Sequence, residues 1–281
     1  MSQHAPRHDA QHNIGDQVEF LELEAEVLAE HINSAIAWLP LTEPPREIVD
    51  LGCGTGAGTF ALLARFPEAR VTAVDSSTEH LHRLREKAGA EGAAGQVRIL
   101  QADLDAAEWP DLGTPDLVWA SAALHHLAAP DRALRNIHHT LAPGGLLAVV
   151  ELAGFPRFLP TGAPADRPGL EERCHAANEI HLADHVPHRG ADWGAKLADA
   201  GFTVEGERAI TVNASGSHSD AVGRYAVKSL QFLRNSVAGA LADEDLAALD
   251  RLLDIDGPHS ILHRDDLAVR TERTMWAARR G

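Results

Sequence analysis

The chain has 281 residues, 44% of them hydrophobic, and carries 41 Asp+Glu against 25 Lys+Arg for a formal net charge of −16. That length supports one large α/β core, or a core with a small lid, while the acidic balance argues against nucleic acid as a partner, because phosphate recognition needs a basic face. No run of about 18 apolar residues occurs, so no helical membrane span is expected, and two cysteines, Cys53 and Cys174, offer no disulfide framework and suit a cytoplasmic protein.

Met1 to Gln17 is rich in His, Gln and Asp and lacks the apolar stretch of a signal peptide. It is expected to be mobile unless a bound molecule orders it. From Val18 to Leu39, apolar residues at Val18, Leu21, Ala25, Leu28, Ile32, Ile36 and Leu39 follow the spacing of one amphipathic helix, stopped by Pro40 and Pro44-Pro45. Strands near 47–51, 71–75, 97–101, 116–120 and 145–151 then alternate with helices near 58–66, 77–89 and 130–141. Such alternation implies right-handed crossovers and a parallel sheet. Ser76-Ser77-Thr78-Glu79 contains a capping box for the helix near 77–89. A helix over 191–200 with a glycine stop leads to a sixth strand at 202–212, and a last strand spans 267–278. Two insertions remain, 154–190 with a helix near 169–184, and 217–256 with helices at 221–240 and 243–254. The chain thus divides into an N-terminal segment and cap helix at 1–45 and a domain at 46–281, whose cofactor half is 46–151 and whose insertions form a lid.

The densest local signal is Ile48-Val49-Asp50-Leu51-Gly52-Cys53-Gly54-Thr55-Gly56, a buried strand running into a glycine turn that opens a helix. Glycines let the backbone turn sharply and let a ligand approach the main chain, and the free N–H groups of the helix start face it. Gly52, Gly54 and Ala57 also satisfy the dinucleotide fingerprint, with Asp75 about 20 residues on. Asp50 favours a different ligand, since a carboxylate there repels a pyrophosphate and attracts an ammonium group.

VDLGCGTG at 49–56, AVD at 73–75, AD at 102–103, LHHL at 124–127 and LAPGGLLAVVE at 141–151 together resemble the class I S-adenosylmethionine-dependent methyltransferases of the small-molecule type. The resemblance implies a Rossmann-like α/β fold with a seven-stranded, mostly parallel sheet whose last strand is antiparallel. It also implies S-adenosyl-L-methionine as the cofactor and methyl transfer by in-line displacement to an oxygen or nitrogen of a small metabolite or natural product. The cofactor residues would be Asp50, Gly52, Cys53, Gly54, Gly56, Asp75, Ser76, Ala102, Asp103, Leu104, Ala120 and Ser121. Turn backbone groups and Asp50 suit the methionine portion. Asp75 suits the ribose hydroxyls, with a helix cap as its other reading. The resemblance gives Asp103 the adenine amino group, with Leu104 beside the ring, and makes Cys53 a turn residue, not a nucleophile.

A sulfonium methyl is already activated, so alignment of the nucleophile is expected to dominate catalysis. His125, His126 and Glu151 are the candidate catalytic residues, as base or substrate anchor. Arg224, Tyr225, His181 and His185 are the candidate acceptor contacts. His181 and His185 are also spaced to share a helix face, but pocket lining is favoured over a metal site. The expected partner is a small-molecule acceptor, with no nucleic acid and no membrane, and oligomeric assembly is left open. Other classes that the residues admit are a non-catalytic S-adenosylmethionine-binding partner or sensor and an NAD-dependent oxidoreductase.

Overall fold

The computed structural model describes residues 7–182, 186–215 and 220–281, with side chains from residue 15 onward. Short apolar runs build the centre of the sheet: β1 (Glu47–Leu51), β4 (Leu117–Ser121) and β5 (Leu146–Leu152) are buried nearly throughout, as expected of parallel strands covered on both faces. With β2 (Arg70–Asp75), β3 (Val97–Gln101), β6 (Phe202–Ser215) and β7 (Ala268–Arg280) they form one seven-stranded sheet of order β3-β2-β1-β4-β5-β7-β6. The pairs from β3 through β5 are parallel, and β7 runs antiparallel to both β5 and β6. The expected architecture is therefore present. The antiparallel β7 between β5 and β6 departs from the parallel 3-2-1-4-5-6 order of dinucleotide-binding dehydrogenase sheets, which sets the oxidoreductase reading aside.

Helices α3 (Ala57–Arg65), α4 (Thr78–Ala90), α5 (Pro130–Thr140) and α7 (Trp193–Asp199) lie between the strands. Leu134, Ile137, Trp193 and Leu197 cover one face of the sheet, and Leu62 and Leu63 of α3, with Phe66 just after it, cover the other. The single N-terminal helix expected over 18–39 is two, α1 (Arg7–Val27) and α2 (Ala29–Trp38), broken at Leu28. The break follows packing: Ala35 and Ile36 of α2 join the sheet core, whereas Leu23 of α1 joins a separate apolar cluster with the insertions. The capping box also differs from expectation. Ser77 is the N-cap and accepts from His80 N at 3.3 Å, so His80 occupies the position that the reciprocal Glu would need.

The two insertions supply α6 (Leu170–Leu182), α8 (Asp220–Ser236) and α9 (Asp243–Leu253). They pack on α1 through Phe158, Leu170, Cys174, Tyr225, Ala226, Leu230 and Leu249. Asp245 clamps this assembly, accepting from Arg167 Nε at 2.7 Å and from Arg173 Nε and Nη2, each at 2.8 Å. Hydrogen bonds from Arg173 and then Arg167, against the opposing effect of burial, hold its carboxyl down at about 2. A depressed folded-state pKa means that the stabilisation is present above the unfolded value of 3.8 and lost as pH falls toward 2. Asp245→Asn should therefore cost about 1–3 kcal/mol in urea unfolding near neutrality, and the difference from the parent should shrink below about pH 4. An unchanged midpoint at neutral pH would show that the clamp contributes nothing.

Candidate cofactor and acceptor site

The glycine turn leaves the sheet at the carboxyl end of β1. Gly52 takes φ +68°, and a Cβ there would lie 2.5 Å from the Ala123 Cβ, so no other residue fits without moving the loop after β4. Gly58, in the first turn of α3, is required for another reason. A Cβ on it would come within 2.8 Å of Trp119 Nε1 and 3.1 Å of Asp50 Oδ2. The missing side chain preserves a space on which an indole N–H and a carboxyl converge. That space belongs to a cavity of about 120 Å³, lined by the turn, Asp50, Trp119, Ser121 and Arg273, and roofed by Leu21 and Leu28. Trp119 is buried and its Nε1 has no hydrogen-bond partner. A buried orphan donor beside a carboxyl fits a group that carries both signs of charge, as the methionine portion of S-adenosylmethionine does.

Asp50 is 2% exposed and accepts from Thr59 Oγ1 at 2.7 Å. Burial pushes its carboxyl up to about 7; the Thr59 hydrogen bond opposes this, and the nearby Asp75 charge adds to it. Asp75 ends β2 and binds three donors: Oδ2 accepts from Gly54 N at 2.9 Å, and Oδ1 from Ser77 N at 2.8 Å and His80 Nδ1 at 3.3 Å. Burial pushes Asp75 up, but the bonds from His80, Ser77 and Gly54 outweigh it and hold the group below its usual range. This carboxylate ties the glycine turn to the start of α4. Ala102 N donates to Asp75 O at 3.0 Å, bringing 102–104 alongside. Asp103 is exposed and closes an Asx turn by accepting from Asp105 N at 2.9 Å through Oδ1, leaving Oδ2 open to a donor. Leu104 is buried, and its carbonyl accepts from Trp109 Nε1 at 3.1 Å.

The other expected cofactor residues sort by position. Ser121 lines the cavity, whereas the Ala120 side chain is wholly buried in the sheet core beneath it. Ser76 is exposed, with its carbonyl accepting from Gln101 Nε2 at 3.0 Å. Cys53 is buried, and burial together with the Asp50 and Asp75 charges pushes its thiol well up, so it stays protonated. Gly54 and Gly56 share the positive φ of Gly52, Gly56 as the N-cap of α3.

The candidate bases are not equally placed. Glu151 Oε1 accepts from Leu124 N at 2.9 Å, and Oε2 pairs with His125 Nδ1 at 2.5 Å. Both side chains are buried. The pair fastens the turn Leu124–His126 to the end of β5. His126 is exposed, its ring centroid 4.1 Å from that of His125. Desolvation of its inner edge and the neighbouring His125 push its pKa below the usual value, with Glu151 opposing.

The expected acceptor contacts need the most revision. Arg224 is on the surface, paired with Glu19 of α1 at 2.9 Å, because the acidic α1 draws the α8 cations outward. His181 is exposed near the end of α6, and His185 lies outside the described residues. Tyr225 is buried; its hydroxyl donates to Glu24 Oε1 at 3.0 Å, and Arg273 Nη2 donates to the same oxygen at 2.8 Å. A second cavity, of about 240 Å³, instead lies between α1, the loop after β5, α6 and α8, where Phe20, Phe155, Phe158 and Phe232 gather around His175. Phe20 is the alternative acceptor contact that the sequence offers, on the N-terminal helix with Trp38, whereas Trp119, Gly58, Arg273, Phe155, Phe158 and Phe232 escape sequence reasoning, since nothing in their spacing marks them. The one available signal is that four of the chain's seven phenylalanines fall at α1 and in the insertions.

A family described as Methyltransferase domain matches residues 48–145. The trans-aconitate 2-methyltransferase of Acidovorax sp. strain JS42 is 37% identical over 123 residues, covering 43% of this chain and 45% of that protein. The enzyme of the same name from Rhodopseudomonas palustris strain BisB18 is 33% identical over 163 residues, 57% of this chain and 59% of its own length. The match thus spans about half the length of these relatives. Among solved structures, YcgJ of Bacillus subtilis shares the fold, with a TM-score of 0.54 at 16% identity over 91% of this chain and 98% of that one. Strand order, glycine turn and family match agree: residues 48–145 are similar to the Methyltransferase domain family, and the cavity at the glycine turn fits S-adenosyl-L-methionine.

Proposed function

We propose that this protein transfers the methyl group of S-adenosylmethionine to an oxygen or nitrogen of a small molecule, chiefly by aligning the two reactants. The observation that carries the reading is the cavity at the carboxyl ends of β1 and β4, where Asp50 and the unpartnered Trp119 Nε1 meet under the roof of α1. Bound there, the cofactor supplies an electrophilic sulfonium methyl. The chain's residues do the rest. The turn and Asp50 hold the methionine end, Asp75 and Asp103 offer acceptors to the ribose and adenine ends, and Leu21 and Leu28 keep water from the cavity. His126, the exposed member of its pair, is the group open to a departing proton.

The matched segment ends at residue 145, before both insertions, which leaves these insertions as the elements to read the acceptor. Calorimetry with S-adenosylmethionine and NAD, followed by transfer of labelled methyl to acceptor pools, tests the proposal. Absent binding of the first cofactor would sink it, and bound cofactor that turns over with no acceptor would make the protein a binder only. With alignment dominant, His126→Asn should lower turnover by less than about tenfold; a fall of about 10²–10⁴ with loss of the acidic limb of the pH–rate profile would make His126 the base.

A further inference from the structure

We propose that the cavity of about 240 Å³ between α1, α6 and α8 seats the methyl acceptor, and that this acceptor is a neutral, largely apolar ring compound of about two fused rings bearing a hydrogen-bonding group that His175 binds. This rests on the methyltransferase reading and adds the substrate class.

The lining decides the chemistry. Phe20, Phe155, Phe158 and Phe232 dominate the walls, and no Lys, Arg, Asp or Glu is among the described lining residues. A multiply charged acceptor such as a tricarboxylate would lose its hydration there with no cation among the described lining residues to pair it, which costs more than packing returns. Arg189 holds its guanidinium carbon 3.1 Å from the Phe155 ring centroid and is not among the described lining residues. Size sets the ring count: an apolar cavity of roughly 150 Å³ accommodates benzene, so the larger one here has room for a second ring.

His175 supplies the polar contact. It is 5% exposed, stacks on Phe155 at 5.8 Å, and neither ring nitrogen has a hydrogen-bond partner. The nearest charged group, Glu171 Oε1, stands 3.7 Å from Nε2 and is already engaged, because the two Glu171 oxygens accept from Phe158 N at 2.7 Å and Leu159 N at 2.9 Å. Asn178 and Ser236, also in the lining, bond to each other at 2.6 Å. An imidazole buried with both nitrogens unmet is costly for the protein alone, and a ligand hydroxyl, amine or carbonyl removes that cost. Proximity to the cofactor comes from α1: Phe20 faces this cavity, while Leu21 and Glu24 face the one under the glycine turn.

The test uses the full chain with 2-naphthol, naphthalene and trans-aconitate as probes, titrated by calorimetry alongside S-adenosylmethionine. The expected result is that 2-naphthol binds at least about tenfold more tightly than trans-aconitate, a margin of about 1.4 kcal/mol. It should also bind more tightly than naphthalene in the parent but not in His175→Leu. Leu233→Trp, which fills the cavity from α8, should weaken 2-naphthol at least about tenfold while cofactor affinity stays within about twofold. This second variant keeps the test decisive should the His175 variant not fold. Tighter binding of trans-aconitate, or 2-naphthol affinity indifferent to Leu233→Trp, would overturn the proposal. Failure of the methyltransferase reading shows separately, as absent cofactor binding in the same titrations.

Discussion

Asp75→Ala is expected to raise the dissociation constant for S-adenosylmethionine at least about tenfold and to cost the free protein about 2–4 kcal/mol, because two separate sets of bonds are lost. In the free protein the carboxylate accepts from Gly54 N, Ser77 N and His80 Nδ1, so alanine leaves the amides of the glycine turn and of the α4 start without their acceptor. With cofactor bound, the same group is the acceptor nearest the end of β2 for the ribose hydroxyls, and charge-assisted bonds of that kind are worth about 1.5–3 kcal/mol each. Asp75→Asn separates the two effects. An amide side chain presents one oxygen, so it satisfies either Gly54 N or Ser77 N and should fall between parent and alanine in stability. Urea unfolding and calorimetry on the three proteins give both numbers. A folded Asp75→Ala protein with parental cofactor affinity would remove the ribose assignment and leave Asp75 as a structural clasp.

The cofactor half was legible because its signals are local. The strands β1, β2 and β4 are short, largely apolar runs that stop at Gly, Asp or Ser, and the ends of β1 to β5 all fall within about a residue of expectation. β6 and β7 run further than the expected 202–212 and 267–278, to Ser215 and Arg280, because the two strands pair with each other along their length, from Phe202 against Arg280 to Ser215 against Ala268. The break at Leu28 was hidden as well, since the apolar spacing runs straight through it while the two halves pack on different surfaces.

Pairings that depend on topology were not legible. His125 and Glu151 lie 26 residues apart and meet because β4 and β5 are neighbours, which joins two candidate bases in one hydrogen-bonded pair. Arg224 drew attention as a charge in a lid, yet its direction is set by Glu19, some 205 residues away. The cavity between α1, α6 and α8 collects Phe20, Phe155, His175 and Phe232 from four separate segments, so no spacing in any one of them announces it.

The burial of Asp50 makes a second large effect measurable, in opposite directions for stability and for binding. Its carboxyl sits at about 7 in the folded protein against 3.8 for the ordinary group. The folded state then holds the proton more tightly than the unfolded chain, so stability falls as pH rises from about 4 to about 7. At about 1.4 kcal/mol per unit, the ionised form costs the free protein up to roughly 4 kcal/mol at pH 8. Asp50→Asn keeps an oxygen for the Thr59 hydroxyl and removes the charge. The variant should therefore be more stable than the parent at pH 8 by about 1–4 kcal/mol, with the gap closing toward pH 5. Binding should move the other way. An ammonium group in the cavity recruits the ionised carboxylate, so parental affinity should weaken as pH falls below about 7. Asp50→Asn should bind at least about tenfold more weakly at pH 8 and lose most of that pH dependence. Unfolding titrations and calorimetry across this range read both limbs. A stability gap independent of pH would mean that Asp50 does not titrate near neutrality, and parental affinity in the variant would mean that another group meets the ammonium.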